Sequence, residues 1–190
     1  MAVFARYARE RIEQPYTVSA PFERLLTQVL RSGPWDLLVL GMHIMIESVA
    51  LAAFRLANTT FEDPLMRQIT GFTARDEGRH VSFGTLLLNG LYPALGEGER
   101  SYREEFVLEA ADLLSRRYRL TEIWERLGIP VAEGEDFAAS SEMMIAYQRT
   151  MFSRVVRSLS KVGLMTRRVQ EGFASIGMAS APLSRFAAGG

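Results

Sequence analysis

Cysteine is absent from all 190 positions, and histidine occurs only at 43 and 80. The first absence excludes disulfides, thiolate catalysis and zinc-finger, iron–sulfur and blue-copper sites. The second excludes a histidine-rich metal site within one copy of the chain. Net charge is lacking as well. Twenty-two basic and 22 acidic residues give a formal charge of +0, so no global basic field draws the chain to nucleic acid or to an anionic membrane. Lysine is reduced to Lys161, so an arginine at any one position carries little information. No β-type alternation, hairpin turn signal, Gly-rich phosphate loop or serine-nucleophile elbow is found. The first fourteen residues lack the apolar core and cleavage site of a signal peptide, and the chain is read as cytoplasmic.

What is present is helical periodicity in a composition that is 48% hydrophobic and 23% charged, an ordinary globular balance. Apolar spacing predicts helices over 2–14, ended by Pro15, and over 21–31. Ser32-Gly33-Pro34 starts a third helix to about 57, and Asp63–Pro64 caps and starts a fourth to about 92. A helix over 98–127 ends at Gly128, Val131 to Asp136 reads as an acidic loop, and 138–161 forms a helix broken at Gly163. A short helix ends before Gly177. The expectation is one all-α domain over 1–177 with a mobile tail at 178–190. The segment 37–54 is apolar enough to be weighed as a membrane span. His43 and Glu47 near its middle, and its amphipathic neighbours, favour a central core helix instead. The stripe Arg154, Arg157, Lys161 and Arg168 reads as a solvated face, because the same helix carries Met144, Tyr147, Met151, Val155 and Leu159 at core spacing. Trp35 and Trp124 are expected as packing anchors.

The chemistry-bearing run is Asp76-Glu77-Gly78-Arg79-His80. Residues three apart share a helix face, so Glu77 and His80 can converge on one ion. Glu47 is the one carboxylate inside the apolar third helix, and a buried carboxylate needs a cation, a donor network or a proton. An antiparallel pairing of the third and fourth helices brings Glu47 level with Glu77 and His80. Carboxylate with imidazole suits iron or manganese, and also zinc. His43, one turn before Glu47, has two readings: a buried histidine hydrogen-bonded to Glu47, or a further ligand completing a two-histidine, one-carboxylate mononuclear iron set. Thr73 and Gly84 on the Glu77 face, with Ala50 on the facing helix, leave room for oxygen and a substrate or permit close helix packing.

These residues resemble the ferritin-like diiron carboxylate proteins, which use a Glu from each of two helices and a Glu-x-x-His from each of two others. Asp76 to His80 matches the Asp-Glu-x-Arg-His form of bacterial multicomponent monooxygenases and of relatives of the ribonucleotide reductase small subunit. The run Gly41 to Glu47 followed by Ala50, Ala52 and Ala53 is similar to bacterial diiron proteins grouped with amine and aminobenzoate oxygenases. The resemblance implies Glu47, Glu77 and His80 as metal ligands, with Asp76 and Arg79 behind them. In the family such an Asp accepts a hydrogen bond from a ligating His of the opposite half. It further implies a ferritin-like bundle, two iron ions or a Mn/Fe pair, and oxidation of a small organic substrate by O2.

The chain departs from that pattern in showing one Glu and one Glu-x-x-His where a full dinuclear site has two of each. The expectation is therefore the second half of the four-helix core plus C-terminal helices, completed by a missing N-terminal half or by a second copy in a homodimer. The rival expectation is a non-catalytic helical module in which Glu47, His43 and His80 form a buried polar network for packing or dimerisation.

Overall fold

The structure, a computed structural model, describes residues 2–12 and 18–178. Among them no strand occurs, and the chain folds as an all-α bundle. Its helices are α1 (Ala2–Arg11), α2 (Ala20–Arg31), α3 (Trp35–Thr60), α4 (Pro64–Leu87), α5 (Glu97–Arg116), α6 (Thr121–Leu127), α7 (Val131–Ser140), α8 (Glu142–Lys161) and α9 (Arg167–Ser175). Helix α3 is the centre. It runs antiparallel to α4, packs on α8 along its second half, and meets α5 along its first half. Leu37, Leu40, Ile44 and Met45 of α3 join Val107, Ala110 and Ala111 of α5 and Met151, Val155 and Leu159 of α8 in one core. By length and hydropathy α3 would also cross a membrane; here 56% of its most apolar window is buried within the bundle.

Local chemistry sets the α3–α4 hairpin. Asp63 caps α4, its Oδ1 accepting from the backbone N–H of Leu65 at 2.8 Å and Met66 at 3.3 Å, with Pro64 in the first turn. The Tyr7 hydroxyl donates to the same carboxylate at 2.9 Å, and Phe4 stacks on Phe54, which ties α1 to the hairpin end. These hydrogen bonds, Tyr7 first, hold the Asp63 carboxyl below its ordinary value. Midway along α3 the Ser48 and Ser158 hydroxyls meet at 3.2 Å, so the polar atoms that α3 and α8 bury there satisfy each other.

Several sequence expectations are corrected. Val131 to Asp136 is not a loop but the start of α7. Pro130 precedes it at φ −53°, and Glu133 favours the helix N-terminus. Gly134 is where Trp124 lies against the helix, and a Cβ there would collide with the Trp124 ring. The helix expected over 98–127 is divided at Leu120, whose left-handed φ of 58° costs about 1–2 kcal/mol. Burial of Tyr118 on one side offsets that cost, as does a 2.7 Å bond from Trp124 Nε1 to the Arg119 carbonyl on the other. Helix α4 ends at Leu87, and a separate 3-10 turn covers Tyr92–Ala94. Trp35 is exposed and anchors nothing. Met178, assigned to the tail, is buried in the core, while 179–190 and the stop at Pro15 lie outside the described residues.

Candidate metal centre

Helix α3 is not α-helical throughout. Leu40–Ile46 form a π-helical segment that ends where Glu47 begins. A π turn holds more than four residues, so side chains at i and i+4 come almost into line. His43 and Glu47 are such a pair, and His43 Nδ1 lies 2.5 Å from Glu47 Oε2. Periodicity gave no sign of this segment. It includes His43 and immediately precedes the only acidic side chain between Leu37 and Phe54.

Gly84 brings α4 close enough to face that turn. A Cβ at this position would meet His43 Cβ at 2.5 Å. Of the two roles open to Gly84, close helix packing is therefore the one it performs. Across this contact Glu77 and His80 converge on Glu47. His80 Nδ1 stands 3.5 Å from Glu47 Oε1 and 3.7 Å from Glu77 Oε2. One donor atom from each of the three residues lies within 4.8 Å of the others. Separations of 3.5 and 3.7 Å are too long for good hydrogen bonds. They fall within the roughly 3–4 Å that separates two ligands bonded at about 2.1 Å to one transition-metal ion.

The electrostatics point the same way. Glu77 Oε2 is buried without a hydrogen-bond partner. Burial lifts the Glu77 carboxyl above its ordinary value, and the Glu47 charge lifts it further, against an opposing pull from His80. Two carboxylates and one imidazole thus share a partly dry space in which a proton or a cation is needed to balance them. The donor set and the orphaned oxygen both fit a divalent transition metal.

The remaining residues fall into three groups. His43 bonds to Glu47, and its ring lies 6.0 Å from the His80 ring; Phe83, which sequence reasoning passed over, closes on His43 edge-on at 5.7 Å. Its position three residues after His80 was the available signal. Asp76 and Arg79 form an ion pair with each other on the exposed side of α4. Thr73 donates its hydroxyl to the Ile69 carbonyl at 2.9 Å, and Ala50 is half-buried on α3. The His80 side chain is 53% exposed, so the cluster opens on the outer face of the hairpin.

Comparison of the chain with models of known protein families, with curated proteins and with solved structures finds no match.

Proposed function

We propose that Glu47, Glu77 and His80 bind a divalent transition metal, iron or manganese, and that the chain supplies one half of an oxygen-activating centre that oxidises a small organic substrate. The observation that supports this reading above all is the buried, unpartnered Glu77 Oε2 beside a second carboxylate, with one imidazole nitrogen within 3.7 Å of both. When bound, the metal would supply O2 reduction and the oxidising equivalent. The chain's own part is to hold two carboxylates and an imidazole in one place. His43 steadies Glu47 by its 2.5 Å contact, and the buried side of the hairpin excludes water. The resemblance of Asp76 to His80 to the diiron carboxylate motif points to oxygen chemistry in particular. The ferritin-like arrangement, the second metal of a diiron or Mn/Fe pair and a cytoplasmic setting belong to the same proposal.

A second reading is favoured by the His43–Glu47 contact, which already gives Glu47 a partner: a non-catalytic helical module with an internal Glu/His network. Oxygen uptake separates the two. Protein loaded with Fe(II) without air, then exposed to O2 with a reductant, should consume oxygen faster than free Fe(II), and His80→Ala should abolish the excess. Uptake no faster than free Fe(II) favours the module. Under the metal reading His43→Gln preserves metal stoichiometry and weakens affinity about 10–100-fold. Complete loss of metal with the fold unchanged would instead make His43 a ligand of a mononuclear site.

A further inference from the structure

The outer face of α4 is a largely apolar seam that no other helix among the described residues covers, with the Arg75 guanidinium lying over the Phe72 ring at 4.5 Å. Leu65, Phe72, Phe83 and Leu86 are between 47% and 76% exposed. Leu65, Phe72, Arg79 and Leu86 follow one another at seven-residue intervals. Asp76 and Phe83, also seven apart, form a second row four residues behind Phe72 and Arg79. Two rows at this offset make the contact stripe of a coiled-coil pair. Its central members are Asp76 and Arg79, exposed and of opposite sign.

In an antiparallel twofold pair of helices, the first row of one copy stands level with the second row of the other. An axis between Glu77 and Gly78 sets Asp76 of each copy level with Arg79 of the other, and Phe72 level with Phe83. A shift of one heptad either way sets Asp76 against Phe72 or Leu86, and Arg79 against Ile69 or Phe83. Charge complementarity therefore selects a single register, in which the central pairs Asp76/Arg79 and Phe72/Phe83 of α4 are self-complementary.

We propose that α4 docks on α4 of a second copy of this chain in that register, giving a twofold dimer whose seam runs beside the Glu47–Glu77–His80 cluster. His80 adjoins the second row, so both copies' imidazoles fall on the same side of the seam, about 7–8 Å apart along it at 1.5 Å per residue. The second copy then covers the side on which the cluster is open. That last point rests on reading the cluster as a metal site; the dimer itself rests on the seam.

Sedimentation of the full chain, without metal and then with Mn(II), tests this. The expected mass is twice the 21.3 kDa of one chain. Asp76→Arg and Arg79→Asp should each reduce it to one chain with helicity unchanged, and the double exchange should restore the dimer. That pattern supports the proposal whether or not Mn(II) is retained, so failure of the metal reading is scored separately. A monomer, whether or not it binds Mn(II), or a dimer indifferent to both reversals, would overturn it.

Discussion

Two carboxylate sites along helix α3, one near its start and one near its middle, are treated differently. Near its start Asp36 receives the Arg103 guanidinium on both oxygens, Nε to Oδ2 at 3.0 Å and Nη2 to Oδ1 at 3.2 Å. Both side chains are almost fully buried. The fork matches the carboxylate, and the charge is settled within the fold. A few turns later Glu47 meets Glu77 across the hairpin, and the nearby groups of positive character are imidazoles. One carboxylate oxygen there is left without a partner. The first arrangement is complete as a piece of structure. The second leaves a carboxylate oxygen without a partner, which is what the proposed metal would supply.

The largest expected effect lies at the settled pair. Arg103→Leu strands Asp36 in the core and should cost about 3–5 kcal/mol by denaturant unfolding. Adding Asp36→Leu should recover most of that loss, because neither charge then remains buried. A loss under 1 kcal/mol in the single variant would remove the contrast between the two places. Next comes the contact that assembles the site. Gly84→Ala forces a Cβ towards His43, and overpacking of this kind costs about 1–3 kcal/mol. The better helix propensity of Ala offsets about 1 kcal/mol of it. A net loss measured by thermal melting, with weaker metal retention, is the expected outcome. Tyr92, fully buried beside the settled pair, has a hydroxyl without a partner; its burial, with the Asp36 charge, pushes its pKa far up. Tyr92→Phe should therefore gain about 1 kcal/mol.

The smallest effect is the most specific. Glu77 has a folded-state pKa raised above the unfolded value, first by burial and then by Glu47. Its contribution to stability is fully present below the ordinary carboxylate pKa and is lost as pH rises through the raised one. Metal-free protein should thus gain stability from Glu77 as pH falls from neutral towards about 4.3, and Glu77→Gln should flatten that slope. Stabilisation by bound Mn(II) should run the other way and vanish over the same window, because the ligands must be deprotonated. Parallel slopes with and without Mn(II) would contradict the metal reading. Asp63, whose pKa is lowered, loses its contribution only at lower pH and does not confuse the comparison.

The hairpin and its cluster were legible because their signals are local. Asp63–Pro64 fixes where α4 starts, the three-residue step from Glu77 to His80 puts both on one face, and Glu47 stands out as the lone acid in an apolar run. What was not legible depends on contacts distant in sequence or on rare backbone states. The π-helical segment before Glu47 leaves no periodic trace. Leu120 adopts a left-handed conformation between the buried Tyr118 and the Trp124 indole that donates to the Arg119 carbonyl. Val131 to Asp136 look like a loop by composition, and become helix α7 once Trp124 lies across Gly134. The openness of the cluster at His80 was equally hidden, since it depends on how α4 lies on α3.

Metal content tests the central claim most directly. The chain is loaded with Fe(II) or Mn(II) without air, freed of excess ion, and assayed for bound metal beside Glu77→Gln. Retention of metal by the unaltered chain, lost in Glu77→Gln while the fold and the Asp36–Arg103 pair persist, is the predicted result. Equal retention by both proteins, or none by either with the melting temperature unmoved by the ion, would contradict it.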